Sequence, residues 1–369
     1  MKNILITGAT GFVGINIIKE LLKNKDNCLF LLVRGTDYSS ANERVISLLE
    51  EHYDGNLEEI IKGITVLEGD VAEKNLGLTD NVLDSLTQEI NEIFHSAASI
   101  NFKLPIELAV KINVTGTDNV FKFAMKCFEN GVLKRINHIS TAYVAGNTKE
   151  RFYENQLNIG QGFDNTYEAT KLEAEKLVHK YIEEGLPAII FRPSVIASNS
   201  LTGEISKSNL IFGFMKQILN TRYNEFICSE NSSLNIIPIN YFINAMLHIS
   251  ASDSSIGKTF NIVNSHNSSI RELIRCFCEI TGVRVPDFIP VDEADKVPPR
   301  IYQLLEVFIT YIEKSHTFDD RATKEALRGT PIECPDIDEE YMKKAVQYCS
   351  QNRLFNEREL GRMTANANS

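Results

Sequence analysis

The chain has 369 residues, 43% of them apolar and 24% charged, enough for one large domain or two modest ones. Its net charge of −11 argues against bulk nucleic-acid binding, which needs a basic surface, but leaves room for a local basic pocket. No apolar run approaches the roughly 18 to 20 residues that span a bilayer. The N-terminus lacks a leader pattern and the seven cysteines form no framework, so a cytoplasmic protein with no transmembrane segment is expected. Cys276 and Cys278 make a C-x-C pair, too few ligands for structural zinc, and no metal is expected.

In chain order, "KNILIT" (2–7) reads as a short buried strand ending at Gly8. "GATGFVG" follows, and then Val13, Ile17, Leu21 and Leu22 recur at helical spacing. Gly8, Gly11 and Gly14 therefore lie in a strand–turn–helix unit. Glycines there permit a tight turn, a close backbone approach to a pyrophosphate and close helix–strand packing, and the helix N-terminus adds amide donors. An unliganded glycine turn is the plainer alternative. The second strand, "CLFLLV" (28–33), leads to Arg34 where an acid would hold a ribose 2′-hydroxyl. An Arg suits a 2′-phosphate, so NADP(H) is favoured over NAD. Arg44 is a second phosphate candidate or a solvated helix residue. Asp70, ending "ITVLEGD" (64–70), is a candidate partner of the adenine amino group or an ordinary turn residue.

Further strands are expected at 92–98, 135–140, 188–194 and 258–264, with helices over 43–52, 105–130, 167–184 and 269–282. Strands alternating with helices over the first 190 or so residues predict an α/β Rossmann-type fold, a doubly wound parallel sheet. The NADP-binding domain is placed at 1–200, with later segments such as 235–265 returning to it. Residues 201–369 are read mainly as a smaller mixed C-terminal substrate cap. Within it Ile301, Leu304, Leu305, Phe308, Ile309 and Ile312 follow helical spacing and make either a lid or ordinary core. Lys296 and Arg300 in "DKVPPR" are candidates for meeting substrate phosphates.

The stretch "YEATK" puts Tyr167 one helical turn before Lys171. Ala174, Val178 and Tyr181 continue the same stripe, so this face turns inward, where an unpartnered Lys is costly. A phenol of pKa about 10 beside an ammonium is expected to become more acidic, as general acid–base work requires. Lys171 is also placed to bond the nicotinamide ribose. "HISTAYVAG" offers Ser140 and Thr141 as a further hydroxyl at the carboxyl edge of the fifth strand.

With the TGxxGxxG turn, the hydroxyl on "STAYVAG" and YxxxK in this order, residues 1–265 resemble an extended short-chain dehydrogenase/reductase. "GDVAEKNLGLT", "IFHSAASINF", "INVTGT" and "HISTAYVAG" resemble its thioester reductase and fatty acyl-CoA reductase branch. The resemblance implies catalytic roles for Thr141, Tyr167 and Lys171. It implies cofactor contacts at Gly8, Thr10, Gly11, Phe12, Val13, Arg34, Arg44, Asp70, Val71, Ala97, Ala98, Lys171, Pro193 and Val195. Asn113 matches the family's helix Asn, a structural or proton-relay residue. The implied reaction is NADPH-dependent reduction of an acyl thioester, on coenzyme A or a carrier protein, to aldehyde or alcohol. The expected protein is a stand-alone reductase, with a homodimer as a family-level expectation. A ketone/alcohol dehydrogenase, a nucleotide-sugar epimerase/dehydratase and a non-catalytic NADP sensor are the competing readings.

Overall fold

A computed structural model of the chain describes residues 1–53, 56–220, 225–296 and 309–365. Seven parallel strands form the central sheet: β1 (Lys2–Thr7), β2 (Asn27–Val33), β3 (Ile64–Glu68), β4 (Glu92–His95), β5 (Arg135–Ile139), β6 (Ala188–Pro193) and β7 (Thr259–Ile262). Their spatial order is β3-β2-β1-β4-β5-β6-β7. The order reverses between β1 and β4, and the crevice at that switch point, outside the carboxyl ends of the strands, is where such sheets take ligands. Register brings the ends together: Thr7 pairs with Leu32 on one side and His95 on the other.

These strands read as nearly continuous apolar runs because both sheet faces are covered. Alternation along β1 shows it: Ile4 and Ile6 enter one core and Leu5 the other. Helices α1 (Phe12–Leu21), α2 (Ala41–His52) and α6 (Ile239–Ser250) cover the first face through Ile15, Ile18, Val45, Phe242 and Met246. Helices α3 (Asp80–Thr87), α4 (Gly116–Glu129) and α5 (Thr166–Glu183) cover the second through Leu83, Phe121, Ala124 and Val178. The helix expected over 105–130 is interrupted. Ile106–Val110 is followed by a π-helical turn at Lys111–Thr115, and only then by α4. Such single-turn bulges often mark functional positions; here it carries the buried Asn113.

A third core lies beyond β6. Phe212, Met215, Phe226, Ile274, Phe277, Ile312 and Met342 share it. It includes α7 (Ile270–Thr281), whose Ser269 cap accepts from the Glu272 amide and which ends at Gly282 with φ 68°. Residues 309–314 are helical, and Ile309, Tyr311 and Ile312 are buried, so the end of the periodic stretch noted in sequence is packed core. Its positions 301–308 lie outside the described residues, as do Arg300 and the side chain of Lys296. Among the described residues no helix is long and apolar enough to cross a membrane.

Candidate active site

The turn after β1 requires glycine at two places. Gly8 has φ +71°, and a Cβ there would lie 2.7 Å from the Ala97 amide nitrogen. A Cβ on Gly14 would lie 2.2 Å from the Gly8 carbonyl oxygen, itself held by the Gly11 amide at 2.9 Å. Strand, turn and α1 are thus packed backbone to backbone, with the first amides of α1 facing the sheet edge.

Beside this turn is a cavity of about 220 Å³ lined by Gly8, Thr10, Gly11, Arg34, Arg44, Asp70, Val71, Ala97 and Ala98. Arg44 donates to the Arg34 carbonyl at 2.5 Å and to Thr10 Oγ1 at 3.3 Å, which brings both guanidinium-bearing segments to the turn. Arg34 is exposed and lies 3.6 Å from Asp70 Oδ2, a loose pair that an incoming phosphate can displace. Asp70 also accepts from the Ala72 amide at 2.9 Å, so the turn role foreseen as an alternative is filled as well.

A second cavity, of about 270 Å³, adjoins the first through Ser96 and Ala98. Phe12, Val13, Thr141, Tyr167, Lys171, Pro193 and Val195 line it. Apart from Gly14 and Asn113, the cofactor and catalytic candidates from the sequence border one of these two adjoining cavities. Apolar side chains continue the wall: Ile100, Phe102, Ile196 and Leu210, with Tyr143 and Tyr311.

The two hydroxyls of "ISTA" separate. Thr141 Oγ1 accepts from the Tyr143 amide at 3.2 Å and lines the same cavity as the Tyr167 phenol, whose acidity it raises. Ser140 Oγ instead turns into the protein and donates to Glu175 Oε2 at 2.5 Å.

The electrostatics differ from the sequence expectation. Desolvation in this enclosed wall pushes the Tyr167 phenol up to about 12, with Thr141 pulling it back and neighbouring Glu168 pushing further. No softening by an adjacent ammonium is seen: Lys171, which donates to the Ile139 carbonyl at 2.8 Å, is itself lowered by burial and has lost its charge before a phenol at about 12 titrates. Burial lowers Lys171 to about 8, and Glu175 opposes that fall. Tyr167 is therefore a protonated acid at neutral pH. His95 and His138, behind Lys171 on β4 and β5, are held neutral by burial and by the Lys171 charge.

Asn113 lines neither cavity. Its Oδ1 accepts from the Ser99 amide at 2.7 Å, and its Nδ2 donates to Thr170 Oγ1 at 2.9 Å and to the Ser99 carbonyl at 3.2 Å. It ties the loop after β4 to α5, a positioning arrangement with no amide group left over.

Several site residues were missed in sequence. Tyr311 reaches the cavity wall from the C-terminal third and packs on Phe102 at 5.3 Å and Tyr143 at 4.7 Å between centroids. Phe102 meets Tyr167 edge-on at 5.7 Å. Lys314 fastens this segment, bonding Asp164, Glu168 at 3.3 Å and the Gly146 carbonyl at 3.0 Å. No local pattern announces these contacts, which join residues far apart in the chain. Glu175 had a signal, since it extends the Tyr167–Lys171 spacing by one more turn.

The glycine cradle, the helix start and the paired arginines fit a nicotinamide dinucleotide. Comparison with known proteins agrees. The family profile described as Male sterility protein, of the NAD_binding_4 type, matches residues 6–246. A nonribosomal peptide synthetase, asaC of Aspergillus flavus, is 31% identical over 87% of this chain and 33% of that protein. The putative fatty acyl-CoA reductase CG8303 of Drosophila melanogaster is 27% identical over 82% of this chain and 60% of its own length. The chain thus spans between a third and three-fifths of these two relatives. The crystal structure of the terminal R domain of the myxalamid PKS-NRPS pathway superposes with a TM-score of 0.83 at 26% identity, covering 96% of this chain and 92% of that one. The chain belongs to the Male sterility protein family, an extended short-chain dehydrogenase/reductase of the thioester reductase and fatty acyl-CoA reductase branch.

Proposed function

We propose that the protein is an NADPH-dependent reductase of an acyl thioester, carried on coenzyme A or a carrier protein, giving an aldehyde or alcohol. The observation that carries this is the meeting of Thr141, Tyr167 and Lys171 in one apolar-walled cavity that runs into the Gly8–Arg34–Arg44 cavity. Gly8, Gly11 and Arg34 with Arg44 would hold the phosphates, and Lys171, Pro193 and Val195 the nicotinamide riboside. Bound there, NADPH supplies the hydride. The Thr141 and Tyr167 hydroxyls donate to the carbonyl oxygen as negative charge builds, a kind of stabilisation worth about 10²- to 10³-fold per donor. Tyr167 then gives its proton to that oxygen, and the resulting hemithioacetal expels the thiol and leaves an aldehyde. Residues after 200, with Leu210 and Tyr311 on the wall, form the acyl side of the cleft. The curated relatives include fatty acyl-CoA reductases, and the chain's own Ile100, Phe102, Val195 and Ile196 give that side its apolar character.

The test follows NADPH consumption and thiol release with a long-chain acyl-CoA, a pantetheine thioester, a ketone and a nucleotide sugar. Coupled consumption and release with a thioester supports the reading. Turnover of the ketone or sugar alone overturns it, and NADPH binding with no turnover of any of the four favours a sensor. Products identified by mass separate aldehyde from alcohol.

Cofactor choice is tested at Arg34. Arg34→Ala is expected to weaken NADPH binding about 10- to 100-fold, the worth of one or two charge-assisted phosphate bonds, and to leave NADH binding within about twofold. Its exposed pairing with Asp70 makes a loss of folding stability unexpected. Equal losses for both nucleotides would place Arg34 away from the 2′-phosphate.

Lys171 sets a pH limit. Its amine is held at about 8 by burial, so a rate that depends on the ammonium falls as pH rises through about 8. An exposed lysine would postpone that fall to about 10. A pH profile of kcat/KM that stays flat between these values would remove the Lys171 charge from the rate.

A further inference from the structure

Glu175 is fully buried one turn beyond Lys171 on α5, and the chemistry above makes no use of it. Its carboxylate is nevertheless saturated. Oε1 accepts from Arg192 Nε at 2.9 Å and Nη2 at 2.5 Å, and Oε2 accepts from Ser140 Oγ at 2.5 Å. Arg192 is fully buried as well; it donates to the Gln156 carbonyl at 2.7 Å and lies 5.3 Å above the Phe152 ring. Each member adjoins a residue of the cleft: Ser140 precedes Thr141, Arg192 precedes Pro193, and Glu175 follows Lys171 by four positions. A buried ion pair seldom improves stability over apolar side chains of the same volume. Stability alone therefore gives no reason for one here, whereas convergence on three segments of the cleft does.

We propose that Glu175 is a positioning residue of the reaction: through Ser140 and Arg192 it locks the Thr141, Lys171 and Pro193 segments into one wall of the cofactor cleft. It also presents a fixed negative charge to Lys171. The groups facing Lys171 are the Ile139 carbonyl and His138 from β5, His95 from β4, and Tyr167 and Glu175 from its own helix. Both histidines are neutral, so Glu175 is the anion among them. His179, on the outer side of α5, lies 3.8 Å from the same carboxylate. This inference rests on the proposed function only where turnover is the readout.

The test uses the full chain in three forms: wild type, Ser140→Ala, and Glu175→Met with Arg192→Met. Melting temperature, kcat and KM for the thioester, and NADPH affinity across pH are measured for each. Ser140→Ala leaves the ion pair intact. It is expected to melt near wild type, with kcat down about tenfold or more and KM within about twofold, since a small misplacement of a reacting group has that cost. The double variant removes both charges together, so no ion is left stranded. It is expected to melt near wild type with kcat still down about tenfold or more. The alkaline loss of NADPH binding should move to lower pH, because Glu175 is the anion that holds Lys171 up, by an amount that loss of the Arg192 charge reduces. Either variant melting near wild type with wild-type kcat and an unmoved pH profile overturns the proposal. Should the double variant fail to fold, Ser140→Ala decides. Should the wild type bind NADPH but reduce no thioester, the functional reading fails while the binding profiles still decide Glu175.

Discussion

Tyr167→Phe is expected to lower kcat by about 10²- to 10⁴-fold, the usual worth of a positioned general acid, and to leave NADPH affinity within about twofold. The substitution removes one oxygen and keeps the ring that packs against Phe102. Thr141 keeps the bond it accepts from the Tyr143 amide while its own O–H loses the phenol beside it, so a fall in melting temperature of a few degrees at most is expected. A phenol at about 12 is fully protonated across the physiological range, which suits it to deliver a proton to a nascent alkoxide. It suits the phenol less to remove one. The reverse reaction, oxidation of an aldehyde or alcohol, is therefore expected to gain rate as pH rises until Lys171 loses its charge near 8. Unchanged turnover in Tyr167→Phe would take the phenol out of the chemistry. Lost NADPH binding would make it a cofactor ligand instead.

How far the site could be read in sequence depended on whether its cause is local. The glycine turn is local, because Gly8 and Gly14 answer to backbone approaches within one strand–turn–helix unit. The YxxxK spacing is local too, since one helical turn brings Tyr167 and Lys171 to the same wall. The "GDVAEKNLGL" motif was legible only as a resemblance, and its physical reason is a knot of left-handed backbone. Asn75, Leu76 and Gly77 have φ of 56°, 61° and 72°, and the Leu76 carbonyl accepts from the Asp70 amide at 2.9 Å. A Cβ on Gly69 would fall 2.3 Å from that carbonyl. The knot presents Asp70 and Val71 to the cavity beside the glycine turn, which spacing alone does not reveal. The sense of the Tyr167 shift was misread for a related reason. Lys171 proximity follows from helix geometry, but the burial that raises Tyr167 and lowers Lys171 is set by the elements packed around them. The clasp of Lys314 on Asp164 and Glu168, and the reach of Tyr311 to Phe102, are tertiary with no periodic trace.

The largest loss of cofactor binding should come from a methyl group. Gly14→Ala is expected to reduce affinity for NADPH and NADH alike by about 100-fold or more, and to destabilise the fold by about 1–3 kcal/mol, the usual cost of overpacking. The added Cβ would lie 2.2 Å from the Gly8 carbonyl and 2.8 Å from the Ala9 Cα, and both are backbone atoms with no rotamer to yield. Relief requires α1 to move off β1, which pulls its first amides away from the phosphate position. Gly11→Ala is the discriminating companion. There the nearest atom is the Gly8 carbonyl at 3.3 Å, and φ is an ordinary −88°. That contact needs a shift of only a few tenths of an ångström, so Gly11→Ala should melt close to wild type even where its methyl crowds the pyrophosphate. Calorimetric melting with titration of both nucleotides checks the pair. Equal melting temperatures for the two variants would show that the packing of α1 against the turn does not depend on the missing Cβ at residue 14. NADPH affinity retained in Gly14→Ala would move the phosphate site away from this helix altogether.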